Sequence, residues 1–152
     1  MRTALSSVAV AALALSACAN PSGARMGLFT TTTPVVAIVG GELYTGESVC
    51  FLDGTGRLDL HASTDPAQAC SGRFRYESDH LGVGDMRCNG KTDASFQFRA
   101  LSTMTGYGFG RAQEAEVSFA YGMTPEQATP YLRLPSGKKL RRKDSGLVLS
   151  DG

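Results

Sequence analysis

The sequence predicts an all-β domain, an antiparallel sandwich or partly closed barrel of about seven strands with one short C-terminal helix. Three observations carry this expectation. Apolar and polar residues alternate through much of 34–122. Turn-forming dipeptides, Asp53-Gly54 and Asn89-Gly90, punctuate the alternation and supply the positive φ angles of tight hairpins. The segment from Cys70 to Cys88 also folds back on itself in one register that satisfies several pairings together.

The chain of 152 residues is about one domain long, and 42% hydrophobic residues suffice for a buried core. A formal charge of +1 removes the usual electrostatic basis for a dedicated nucleic-acid binder. No apolar run is long enough for a spanning helix.

From the N-terminus, Met1-Arg2 is a short positive start, Ala4 to Ala17 is apolar with small residues, and Leu15-Ser16-Ala17-Cys18 follows. These four residues resemble the lipobox of bacterial lipoproteins. The resemblance implies a signal peptide over 1–17, diacylglycerol on the Cys18 thiol, and Cys18 as the mature first residue. Ala19, where inner-membrane members carry Asp, implies an outer-membrane anchor facing the periplasm. Residues 18–33, rich in Thr with Pro, Ser and Gly, read as a flexible tether, so folding is expected to begin near Pro34.

The β domain is expected over 34–134. Leu58 and Leu60 share one strand face opposite Arg57, Asp59 and His61; Phe96 and Phe98 share another; Val117, Phe119 and Tyr121 a third. A fold of 70–88 about Asp79 sets Cys70 against Cys88, Gly72 against Met86, Phe74 against Gly84 and Tyr76 against Gly82, with Arg73 opposite Asp85 on the other face. A Cys70–Cys88 disulfide follows, because facing strand residues have the Cα separation that such a bond needs. Cys50 is then left over. It reads as a buried core thiol, with an intermolecular bond as the other reading. Thr124-Pro125-Glu126-Gln127 has the cap, N1 proline and capping-box glutamine of a helix start, giving a short helix near 125–132.

Residues 135–152 read as a basic mobile tail. From Arg133 onward six Lys/Arg stand against Asp144 and Asp151, while residues 18–132 carry a net −4. Lys138, Lys139, Arg141, Arg142 and Lys143 form the possible contact surface. They could pack back on the acidic body, meet an anionic lipid, polymer or envelope protein, or stay solvated.

Other motifs carry less chemistry. Gly106-Tyr107-Gly108-Phe109-Gly110-Arg111 lacks the helix and spacing of a phosphate loop; glycine at every second position instead bares one strand face for close approach of a backbone or ring. His61 and His80 have no third partner at ligand spacing, so no metal or cofactor is expected. Asp79, His80 and Ser71 lack a nucleophile-elbow signature.

Cys70-Ser71-Gly72-Arg73-Phe74, the Cys88-Asn89-Gly90 step, Phe96 and the Gly-Tyr-Gly repeat together resemble a group of small proteobacterial envelope lipoproteins over about residues 40–140. That resemblance implies location and domain type and transfers no catalytic residue. The expectation is a lipid-anchored envelope protein with a non-enzymatic binding or scaffolding role. The alternatives are an inhibitor of a cell-wall hydrolase, or a small envelope enzyme using His61, Asp79 and His80.

Overall fold

The computed structural model describes residues 23–144 and 146–152. The expected signal peptide, Cys18 and the first part of the tether lie outside these residues. Among the described residues no helix is long and apolar enough to cross a membrane.

Eight strands form an up-and-down antiparallel barrel: β2 (Thr30–Val39), β3 (Glu42–Phe51), β4 (Thr55–Ala62), β5 (Ala69–Tyr76), β6 (Leu81–Cys88), β7 (Thr92–Ala100), β8 (Gly106–Ala112) and β9 (Ala115–Tyr121). Each pairs with its sequence neighbour. The sheet closes where β2 pairs with β9, from Val35↔Tyr121 to Val39↔Val117. Closure satisfies the edge backbone groups that an open sheet would leave unpaired.

The fold therefore resolves the expected sandwich-or-barrel class as a barrel. Its register between β5 and β6 matches the expected one at every position, including Cys70↔Cys88, Gly72↔Met86 and Arg73↔Asp85. Cys70 and Cys88 are disulfide-bonded and almost wholly buried inside the barrel. The turn after β6 places Asn89 and Gly90 at positive φ, and Gly40-Gly41, a second such turn, joins β2 to β3.

Folding does not begin at Pro34. The threonines before it are β-branched and continue β2 back to Thr30, while a two-residue strand β1 (Arg25–Met26) pairs with Thr31 and Thr32. The second half of the expected tether is thus part of the sheet. Pro34 is tolerated inside β2 because of where its missing N–H would point. A strand residue directs N–H and C=O to the same edge, and the Pro34 carbonyl accepts from Gly122, just past the end of β9. No ladder donor is lost between the β1 and β9 pairings.

Inward positions on the eight strands build one core from residues such as Leu58, Leu60, Met86, Phe96, Phe98 and Phe119. An eight-stranded barrel is just wide enough for its side chains to fill. Here aromatic rings alternate with glycines. Phe74 lies on Gly56, Phe96 on Gly84, Phe98 on Gly82, Phe119 on Gly108 and Tyr121 on Gly106, so a Cβ at any of these glycines would collide with the ring.

Every one of these rings covers the glycine facing it on the preceding strand. Phe74 and Tyr76 do face Gly84 and Gly82 in register, as expected, but Phe96 and Phe98 already occupy those surfaces. Phe74 leans the other way, and Tyr76 packs edge-on against Phe98 at 5.0 Å between ring centroids. Steric exclusivity decides this choice.

A second core lies outside the barrel. Val36, Ile38, Leu43 and Ala120 project outward from β2, β3 and β9, and the C-terminal segment covers them. The helix α1 (Pro125–Ala128) starts with a complete capping box between Thr124 and Gln127, buries Ala128, and runs into a 3₁₀ turn (Thr129–Tyr131). Arg133 N–H then donates to the buried Ser118 hydroxyl at 2.8 Å.

The expected mobile tail is instead a hairpin of β10 (Lys138–Lys143) and β11 (Gly146–Asp151). Leu140, Leu147 and Leu149 pack onto the outer core, and their burial offsets the ordering of so basic a segment. Its basic composition masked three leucines at strand spacing.

Candidate functional site

The barrel has two unlike ends. One, the mouth, is formed by the turn before β2 and by the connections β3–β4, β5–β6 and β7–β8. The other, the base, is formed by the connections β2–β3, β4–β5, β6–β7 and β8–β9.

Inside the mouth the packing is incomplete. A cavity of about 40 Å³ is lined by aromatic side chains together with Thr31, Thr33, Ser48, Cys50, Tyr76 and Tyr121. That is room for ordered water and too little for a folded organic substrate. The Thr33 and Ser48 hydroxyls bond each other at 2.7 Å. The Tyr121 hydroxyl is buried beside Tyr76 and has no well-aligned hydrogen bond among the described residues. Burial, with Tyr76 beside it, raises its pKa far above the ordinary phenol value. Tyr121 is therefore neutral and unsuited to act as a base near neutral pH.

Cys50 differs from the expected buried core thiol. It is half-buried on an inward position of β3 at the mouth cavity, and its thiol donates to the Phe51 carbonyl at 3.6 Å. Burial first, and the Asp53 carboxylate second, raise its pKa, so it carries no activated thiolate.

Outside the cavity the mouth carries large apolar side chains, beside a polar β5–β6 loop. Leu28 and Phe29 at the turn before β2, Phe51 and Leu52 at the β3–β4 turn, Leu81 at the start of β6 and Leu101 after β7 are all exposed. Leu28 and Leu52 keep 84% and 80% of their surface in water, an unusual cost for adjacent loop tips of one domain. Met26 continues this patch along β1. Each residue is unremarkable alone in the sequence, because only closure of the barrel brings four separate connections to one rim.

The base is polar by contrast. Its connections are Gly40-Gly41, Ser63 to Gln68, Asn89 to Lys91 and Gln113-Glu114. The turn of the β10–β11 hairpin lies at this end, with Lys143 and Val148 near Gly41 and Thr64. Strand alternation places Lys139, Arg141 and Lys143 on the face opposite Leu140, at a spacing of about 7 Å. Lys138 is paired with Asp151 at 2.7 Å. Lys139, Arg141, Arg142 and Lys143 have no ion-pair partner among the described residues.

The titrating groups of the enzyme alternative do not come together. His61 stands at the base end of β4, where its Nδ1 lies 3.1 Å from the Pro66 carbonyl oxygen. Asp79 and His80 stand in the β5–β6 loop at the mouth. A strand of eight residues, about 25 Å, separates the two ends. Among the described residues no three His, Cys, Asp or Glu side chains are grouped to hold a metal. The glycine run of β8 meets Tyr121, Phe119 and the Phe96 backbone inside the barrel, which accounts for it without a phosphate.

A comparison of the chain with known protein families, with characterised proteins and with solved structures finds no match.

Proposed function

We propose that this chain is a lipid-anchored envelope protein, held through Cys18 on the periplasmic side of an outer membrane, with a non-enzymatic binding or scaffolding role. Its contact surface for an anionic partner is the β10–β11 hairpin. The observation that carries this reading is the fixed array of Lys139, Arg141 and Lys143 on a hairpin whose other face is pinned to the outer core. Preordered cations at regular spacing lose less conformational freedom on binding a polyanion than a loose tail would. A barrel interior that leaves a cavity of only about 40 Å³, and histidines at opposite ends, add support for a surface-binding role.

The test measures retention of the full chain on linear polyphosphate. Replacing Lys139, Arg141 and Lys143 together by Ala is expected to weaken binding at least tenfold, with affinity falling as salt rises in the parent chain. Retention unchanged by the triple substitution would sink the hairpin as the contact surface. Membrane partitioning that survives Cys18→Ala and is indifferent to acylation would remove the anchor.

A further inference from the structure

We infer that the apolar rim of the mouth is a lipid-docking surface, which rests on the leaflet carrying the anchor and holds the barrel mouth-down with the basic hairpin facing away. The docking stands on the rim geometry; only its orientation relative to an anchor rests on the reading of Cys18 given above.

The rim has the composition of an interfacial contact. Leu28, Phe29, Leu52 and Leu101 are at loop tips, where side chains project beyond the backbone, and Phe51 and Leu81 flank them on the outer wall. Tips of this kind can enter the headgroup and upper acyl region while their strands keep every ladder bond. The base, built from the same strands, presents no comparable group.

The chain path places the anchor within reach of the same plane. Gly23 lies against the Pro34 ring, and the chain then runs down β1 to the turn at the mouth, closed by Gly27 N–H donating to the Thr30 carbonyl at 2.7 Å. Pro34 stands four residues up β2 from Thr30, about 14 Å from the rim. The five residues from Cys18 to Gly23 span at most about 17 Å. Acyl chains on Cys18 can therefore enter the leaflet on which the rim sits.

Charge selects the kind of lipid surface. The mouth loops carry Asp53, Glu77 and Asp79 and no lysine or arginine; of the arginines on the adjoining strand ends, Arg25 is paired with Glu47 at 2.8 Å and Arg75 with Glu77 at 3.2 Å, which leaves Arg57 and Arg99 on the outer wall. The loops thus offer an anionic headgroup no cation. A zwitterionic leaflet fits, and its binding should be nearly independent of salt, unlike contacts of the hairpin.

The chain has no tryptophan, so each introduced one is a private reporter. Leu52→Trp and Leu101→Trp report the rim, and Ala67→Trp, on the β4–β5 loop, reports the base. The probe is phosphatidylcholine vesicles with and without bromine on the acyl chains, titrated to saturation with the acylated chain and with its Cys18→Ala form. Bromine is expected to quench both rim reporters strongly and to leave Ala67→Trp unchanged. The Cys18→Ala form should reach the same quenching at higher lipid concentration, and adding Leu28→Glu should raise the lipid needed about tenfold. Vesicle-bound protein with unquenched rim reporters, or with base and rim quenched alike, overturns the inference. So does a lipid-free dimer that Leu28→Glu dissolves while bromine has no effect. Quenching of both forms at the same lipid concentration instead sinks the anchor and leaves the docking standing.

Discussion

The two ends of the barrel share their strands and differ in almost everything else. Near the base the Cys70–Cys88 disulfide ties β5 to β6 inside the core, and the loops are polar. At the mouth a free thiol, a buried tyrosine hydroxyl and a small cavity occupy the equivalent interior, and the loops carry large apolar side chains. The difference teaches that strand pattern builds the wall of a barrel, whereas loop chemistry and a few inward positions decide what each end meets. The base has the features of a stability device, and the mouth has those of a surface for contact.

This contrast can be broken most forcefully at the base. Replacing Cys70 and Cys88 together by Ala should cost about 2–5 kcal/mol, since the bond closes a loop across an 18-residue separation and its loss leaves a void in the core. Denaturant unfolding with and without reductant measures this effect. If the double variant unfolds at the parent's midpoint, the base is not the stabilised end.

A smaller effect is expected where ring and glycine meet. At Gly84 an added methyl would press on the Phe96 ring and crowd the Arg73 carbonyl, so Gly84→Ala should destabilise the chain by about 1–3 kcal/mol. Near-UV circular dichroism should also show the aromatic packing disturbed. Unchanged stability would mean that the rings shift freely and that the filled interior is softer than described.

The smallest change is expected at the mouth. Tyr121→Phe removes a buried hydroxyl that has no well-aligned hydrogen bond among the described residues, so it should leave stability unchanged or raise it by up to about 1 kcal/mol. A loss beyond about 1 kcal/mol, read from the unfolding midpoint, would reveal a hydrogen bond through ordered water in the cavity and make the mouth interior as determined as the base.

The legible parts of this molecule were local. Alternation around Leu58 and Leu60, the capping box at Thr124 and the register of Cys70–Cys88 can all be read because the interacting residues sit two, three or at most eighteen positions apart. Gly40-Gly41 was equally readable as a two-residue turn, and its positive φ values confirm the type of signal that Asn89-Gly90 carried. The hairpin at the C-terminus was obscured because Leu140, Leu147 and Leu149 gain stability only from a surface made by β2, β3 and β9. Cys50, left without a pairing partner between Val49 and Phe51, reads as a core thiol, yet its place at the mouth cavity depends on where β3 ends.

By itself, then, the amino-acid order determined the strands around Leu58, Phe96 and Val117, the β5–β6 hairpin with its disulfide and the short helix, since each follows from period-two alternation or from contacts within a hairpin or a helical turn. Only the tertiary structure decided the rest. Closure joins Val39 to Val117 across 78 positions, which no local pattern specifies, and it depends on the summed twist and tilt of all eight strands. Once the sheet closes, every second connection falls at the same end. The exposed apolar tips then become one rim, the two histidines are carried apart, and the basic hairpin settles on the outer wall.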